Sequence, residues 1–339
     1  MYNFFRALLF KFDPETAHHL TLNAIRLAGA IPPVRWGLEK AFYAPDKPVQ
    51  AFGLTFKNPV GLAAGYDKNG LGIQGLATLG FGHIEVGTVT PRPQPGNPQP
   101  RVFRLREDQG VINRLGFPGQ GAEFVARHLA GHRRPSGAMI GVNLGKNKDT
   151  PLENAADDYI ILLRRFTPLA DYLTINISSP NTVGLRRLQG REMLESLLGA
   201  IAAERATIAT GRGGRVPVLV KLAPDLSDEE LDDAVGVILD TGMDGIIATN
   251  TTLAREGLQS AHQVESGGLS GKPLTGLSDL VLSKVVKRVA GKVPIIGVGG
   301  ITTPDDAKRK LDLGATLVQL YTGMVYVGPQ LVRAIVAKI

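Results

Sequence analysis

VPVLVKLAPDLSDEELDDAVGVILDTGMDGIIATNT, residues 216–251, holds one complete unit of the fold. An apolar run rich in valine and leucine ends at Lys221-Leu222-Ala223-Pro224. Ser227 and Glu230 then stand three apart as a capping box, Leu231, Val235 and Ile238 mark one helical face, and Gly242 supplies the stop. A second apolar run, 244–251, follows and closes on Thr-Asn-Thr. Runs without alternation are the pattern of strands buried on both faces, with helices covering a parallel sheet.

The unit recurs from about residue 58. Strands are expected within 58–65, 81–89, 138–145, 171–178, 216–224, 244–251, 293–300 and 315–322. In TTPDDAKRKLDLGA, Thr303 is the cap, Pro304 takes the first helical position and Gly314 ends the helix. Eight β-then-α units predict a (β/α)8 TIM barrel with a small N-terminal helical extension. An open doubly wound sheet is the alternative, but it would want a G-x-G-x-x-G after the first strand, and GLAAGYDKNG (61–70) does not supply one. Barrel topology gathers Lys68, Thr88, Asn143, the 176–181 stretch, Lys221 and Thr249 to Thr251 at the C-terminal rim. The long insertions 91–116 and 252–275 fall on the same rim.

Ahead of the barrel, Phe4, Leu8 and Phe12, with Phe5 and Leu9 beside them, make an apolar face at helical spacing. A second helix should start at Asp13-Pro14 and end at Gly29. Two readings stand: a helix capping the bottom of the barrel, or a hairpin lying in a membrane interface with Arg6 and Lys11 at the headgroups. The division expected is 1–45 for this segment and 46–339 for the barrel.

The 339 residues are 43% hydrophobic and carry a formal charge of +7, with no cysteine. Disulfides, iron–sulfur ligation and cysteine nucleophiles are therefore excluded. Six histidines show no metal-binding spacing, so no metal is expected. The basic residues are scattered in small groups (Arg133 and Arg134, Arg164 and Arg165, Arg186 and Arg187, Lys308 to Lys310), which reads as solvated helix faces rather than a nucleic-acid stripe. No run approaches the roughly 20 apolar residues of a membrane span, and no signal peptide pattern begins the chain. The expected location is the cytoplasm or its membrane face, where the two N-x-[ST] tripeptides carry no sugar.

Several rim constellations have chemical content. GVGGI (297–301) and YTGM (321–324) end the last two strands, where barrels frequently hold phosphate; close strand–helix packing also selects glycine. Lys221 inside a buried strand needs a negative partner, which a reduced flavin near N1 and O2 or a structural carboxylate would provide; Schiff-base formation with a substrate is the competing chemistry. Lys68 invites the same weighing. Asn113, Asn176, Asn181 and Asn250 offer paired donors and acceptors suited to a pyrimidine edge, although caps and Asx turns explain any one of them.

Taken in order, GLAAGYDKNG, IEVGTVTPRPQPGNPQPRVFRL, INRLGF, GVNLGKNKDT, NISSPNTVGLR, KLAPDLS, IATNTT, GGLSGKPL, IIGVGGI and LVQLYTG resemble the class 2, quinone-dependent dihydroorotate dehydrogenases over nearly the whole chain. The resemblance implies FMN as cofactor and oxidation of dihydroorotate to orotate. Ser179 then resembles the base that takes the C5 proton while hydride leaves C6 for the flavin. Lys68, Asn113, Arg114, Leu115, Gly116, Phe117, Asn176, Asn181, Asn250 and Thr251 resemble the substrate set. Ala64, Gly65, Tyr66, Asp67 and Lys68, with Thr88, Asn143, Asn176, Lys221, Thr249, Gly271, Gly300, Tyr321 and Thr322, resemble the FMN set. By the same similarity the N-terminal segment admits ubiquinone or menaquinone, with His18 and Arg104 near its head. A monomer without an obligate protein partner, peripheral on the cytoplasmic face of a bacterial inner membrane, completes the expectation.

Val183 stands where proline is common, and Tyr66 where another apolar residue is frequent. Serine is a poor general base, so Ser179 calls for a relay, through Thr182 and a water near Phe117, and for acidification of the substrate. Two rivals are weighed: another FMN barrel such as a 2-hydroxyacid oxidase, which should want a rim histidine, and a non-enzymatic lipid- or phosphate-binding protein.

Overall fold

The computed structural model describes residues 2–131, 137–208 and 215–339. Arg133 and Arg134 lie outside the described residues. Eight parallel strands close a barrel: β1 (Val60–Leu62), β2 (His83–Val89), β3 (Met139–Leu144), β4 (Tyr172–Asn176), β5 (Val218–Leu222), β6 (Gly245–Ala248), β7 (Ile295–Val298) and β8 (Leu317–Leu320). Each pairs with its sequence neighbours, and β8 returns to β1 through Val318 opposite Val60. Every strand lies within its expected window and is shorter, because only the barrel-wall residues are laddered. The capping boxes at Ser227 with Glu230 and at Thr303 with Asp306 both form, opening helices Asp228–Asp240 and Pro304–Asp312. Buried Leu, Ile and Val from strands and helices fill the layer between them.

A hairpin, Val49–Ala51 with Leu54–Phe56, closes the barrel bottom. Phe56 packs there with Tyr172, Leu219, Ile247 and Leu317. Gly245 leaves the plug room, since a Cβ there would stand 2.4 Å from the Phe52 ring. The helical extension is thus not the bottom cap. It lies at the opposite end, and it has three helices rather than two: α1 (Tyr2–Leu9), α2 (Pro14–Ala30) and α3 (Pro32–Ala41). The third escapes a reading by period because Pro32-Pro33 looks like a terminator, whereas proline at the first turn begins a helix. Asp13 caps α2 through the N–H groups of Glu15 and Thr16 at 2.9 and 3.0 Å. α2 seats against helix Ile73–Ala77, where a Cβ on Gly75 would fall 2.0 Å from the Ile25 carbonyl.

The two long rim insertions combine. Val102–Leu105, Gly110–Asn113 and Gly268–Gly271 form an antiparallel sheet over the barrel mouth, around buried Phe103, Leu105, Ile112 and Leu269. Arg104 donates to the carbonyls of Leu9 and Phe12 and lies 4.5 Å over the Phe10 ring, tying this sheet to the end of α1.

Candidate active site

Between the rim, the small sheet and α1–α2 runs one cavity of about 920 Å³. Its inner end, over the barrel centre, is lined by Thr88, Asn176, Lys221, Thr249 and Gln319. Its outer end is lined by apolar residues of the extension, among them Leu8, Leu20 and Ile25. The size is near the top of the range for small-molecule pockets.

The inner wall is a chain of fixed amides. Asn143 Oδ1 accepts from the Thr88 hydroxyl at 2.6 Å and from Asn176 Nδ2 at 2.9 Å. Asn143 Nδ2 donates to Glu85 Oε1 at 2.7 Å, and Glu85 Oε2 accepts from Gln319 Nε2 at 2.9 Å and the Tyr172 hydroxyl at 3.2 Å. With Glu85 accepting only, each amide above it has one possible orientation. Asn250 Nδ2 donates to Ser178 Oγ at 2.9 Å, joining the loops after β4 and β6. Glu85, Gln319 and Tyr172 were missed by the sequence reading. The signal was available, since a carboxylate inside the buried run IEVGTV is as anomalous as Lys221 in LVKLAP.

Two lysines meet the cavity differently. Lys221 is buried and its ammonium is pushed down by desolvation, with the Glu85 charge opposing. It makes no hydrogen bond among the described residues, so a Schiff-base role gains no positioning partner while an anionic ligand would satisfy it. Lys68 donates to the Gly65 carbonyl at 2.9 Å. Burial lowers it to about 8, Glu15 and Asp67 raising it and Arg101 lowering it. Glu15, on α2, makes a mostly buried pair with Arg101 at 2.6 Å. His18 packs its ring on Tyr66 at 4.9 Å and is pushed down to about 3, first by burial and then by Lys68, so it is neutral at ordinary pH.

Ser179 is buried on the cavity wall, its Oγ accepting from the Asn181 N–H at 3.2 Å. Its proton goes to no acceptor among the described residues. Thr182 Oγ1 is buried without a partner among the described residues, so no direct Ser179–Thr182 bond forms. Asn181 Nδ2 reaches Asn113 Oδ1 at 3.2 Å, bringing two of the four predicted asparagines into contact.

Three residues of the expected sets do not line the cavity. Asp67 turns its carboxylate onto the N–H groups of Leu71 and Gly72 at 2.9 and 2.7 Å, shaping its loop. Arg114 points outward to Glu265 at 2.6 Å and the Pro100 carbonyl at 2.9 Å. Asn143 lies a layer beneath, holding Thr88 and Asn176. The other expected residues, Ala64 to Tyr66, Asn113, Leu115 to Phe117, Thr251, Gly271, Gly300, Tyr321, Thr322, His18 and Arg104 included, border the cavity.

The glycine end suits a phosphorylated ligand. Gly300 adopts φ +71°, and a Cβ there would meet Thr275 Oγ1 at 2.3 Å, so only glycine permits the turn. Helix Thr322–Tyr326 opens beside it with no side-chain cap; the Met324 N–H donates to the Tyr321 carbonyl at 2.9 Å, which leaves the Thr322 and Gly323 N–H groups as the donors at the cavity edge. These donors, the lone Lys221 ammonium and the amide wall together fit FMN: anion donors at one end, a cation and fixed hydrogen-bonding groups for a polar ring at the other.

The sequence profile described as dihydroorotate dehydrogenase matches residues 48–339. A protein named dihydroorotate dehydrogenase (quinone) from Burkholderia thailandensis is 50% identical, covering 100% of this chain and 97% of that protein. One of the same name from Shewanella woodyi is 49% identical over 99% and 97%. The crystal structure of a DHODH from Eimeria tenella in complex with ferulenol superposes with a TM-score of 0.88 at 39% identity, covering 98% of this chain and 93% of the other. Full-length identity at this level and an amide-walled cavity over a (β/α)8 barrel lead to one conclusion: the chain belongs to the dihydroorotate dehydrogenase family.

Proposed function

We propose that the chain is an FMN-dependent dihydroorotate:quinone oxidoreductase, oxidising dihydroorotate to orotate in pyrimidine biosynthesis. The observation that carries this is the single cavity joining a polar, amide-walled chamber to an apolar channel among the N-terminal helices. A hydrophilic pyrimidine and a lipid-soluble acceptor are thereby served at two ends of one space.

Lys68, Asn113, Asn176, Asn181, Asn250 and Thr251 hold the substrate, the ammonium facing its carboxylate and the amides its ring edge. The backbone of Leu115 to Phe117 shapes the adjoining wall, and Arg114 fixes that segment from outside. Ala64 to Lys68, Thr88, Lys221, Thr249, Gly271, Gly300, Tyr321 and Thr322 hold FMN, with Asn143 orienting the amide wall from beneath and Asp67 shaping the loop. Bound FMN supplies the two-electron acceptor for the hydride leaving C6 and the redox link to quinone. Ser179 takes the C5 proton. A water near Phe117 and Thr182, whose buried Oγ1 has no partner among the described residues, form the relay that carries the Ser179 hydroxyl proton away.

Residues 1–45 form the quinone-access segment and 46–339 the catalytic barrel, with His18 and Arg104 near the quinone head. Neutral His18 suits an uncharged quinone. Of the fifteen large apolar side chains exposed among the described residues, ten lie between Phe4 and Tyr43, Leu27 and Trp36 being 64% and 59% exposed. Patches of this kind mark membrane contact, and no helix among the described residues is long and apolar enough to cross a membrane. In this reading the protein is a monomer, peripheral on the cytoplasmic face of the inner membrane. Ser179→Ala tests the base: the variant should retain FMN and bind orotate but reduce flavin on the order of 10²- to 10⁴-fold more slowly. Reduction at the normal rate would remove Ser179 from that role.

A further inference from the structure

Arg186 has no part in the site described so far, yet it follows Ser179 within the same loop, in the 3-10 turn Leu185–Gln189. Its guanidinium is mostly buried and gathers three acceptors from three loops. Nε donates to the Ser178 carbonyl at 3.0 Å, Nη2 to the Thr251 carbonyl at 2.9 Å, and Nη1 to Asp225 Oδ2 at 2.7 Å. These follow β4, β6 and β5 respectively. Asp225 is itself anchored: Oδ1 accepts from the Thr252 hydroxyl, and the Leu253 N–H lies 3.3 Å from each carboxylate oxygen. A planar fork can serve three acceptors at once, which a lysine point charge cannot.

The carbonyls it holds are informative. Ser178 O belongs to the peptide that carries the Ser179 N–H, and Thr251 O neighbours Asn250, whose amide reaches back to Ser178 Oγ. The peptide of the base and the Asn250–Thr251 wall are therefore held at a fixed separation by one cation that does not itself line the cavity. We propose that Arg186, anchored by Asp225, is a positioning residue that aligns Ser179 with the C5 proton of the substrate. This rests on the reading of Ser179 as the base. A hydroxyl so poorly suited to accept a proton depends on alignment, and displacement of about 1 Å is enough to cost on the order of 10²-fold.

The test uses the FMN-loaded variants Arg186→Gln, Arg186→Lys and Arg186→Ala. Flavin reduction is followed by stopped flow with dihydroorotate and its C5-deuterated form, and orotate affinity by perturbation of the flavin spectrum. Arg186→Gln should slow reduction on the order of 10²-fold and enlarge the C5-deuterium isotope effect, while orotate affinity stays within about threefold. Arg186→Lys should recover only part of the rate, and guanidinium ion should restore rate to Arg186→Ala. Reduction within about twofold of the parent, or rate and orotate affinity falling in parallel, overturns the proposal. Should the Arg186 variants fail to retain FMN, Asp225→Asn decides: slower reduction at unchanged orotate affinity supports the alignment role, and an unchanged rate overturns it. Ser179→Ala is run alongside. A normal rate there defeats the base reading itself, whereas a slow Ser179→Ala beside normal Arg186 variants defeats only the alignment role.

Discussion

Orotate affinity should fall as pH rises through about 8, and Lys68 is the reason. In the proposed site its ammonium pairs with the ligand carboxylate, and burial lowers it from 10.5 to about 8 in the folded protein. The groups around it pull in both directions: Glu15 on α2 and Asp67 beside it favour the charged form, while Arg101 opposes it. Because the folded value is depressed, the binding-competent form is present below about pH 8 and lost above it. Each further pH unit then removes about tenfold in affinity, and orotate binding takes up a proton in that range. His18, held near 3, adds no second limb. Spectral titration of the bound flavin with orotate from about pH 6 to about pH 10 measures the curve. Lys68→Met should abolish the alkaline limb. Glu15→Gln should move it to lower pH, since the charge that raises Lys68 is gone while Arg101 stays. A limb that persists in Lys68→Met, or an affinity flat to about pH 10, refutes the assignment.

Two further outcomes follow from other regions. Lys310 is fully buried against Asp279 at 2.6 Å and the Ser278 hydroxyl at 2.8 Å, so Asp279→Asn strands a buried cation and should cost about 3 kcal/mol; an unshifted urea midpoint would contradict this. Leu27→Glu with Trp36→Glu places two charges on the exposed apolar helices, and should weaken liposome co-sedimentation and quinone turnover without slowing flavin reduction by substrate; equal sedimentation would remove this face from the membrane.

Much of this could be read from residue order, for a physical reason. A strand buried on both faces leaves an uninterrupted apolar run, and a capped helix leaves its Ser-x-x-Glu or Thr-Pro signature, so all eight strands, the Ser227–Glu230 capping box and the Thr303 cap were visible. Side-chain direction is another matter. Asp67 and Arg114 sit in the right loops but turn away, because a loop's position along the chain fixes where its backbone passes and not which groups it satisfies internally. The small sheet needed Gly268–Gly271, after β6, to meet Gly110–Asn113, after β2, a pairing between opposite sides of the barrel that local pattern does not encode. Glu85 stands out in sequence as a carboxylate in a buried run, but its role exists only once Asn143, Tyr172 and Gln319 from three other strands converge on it.

The central claim is that one cavity serves a pyrimidine at its polar end and a quinone at its apolar end. Double-mixing stopped flow addresses it directly: anaerobic protein is mixed with dihydroorotate, then with a short-chain ubiquinone or menaquinone. The account predicts bleaching of the bound flavin in the first step, with orotate formed in equal amount, and return of its colour in the second. Bleaching by lactate in place of dihydroorotate, or a reduced flavin that quinone leaves colourless, would contradict it.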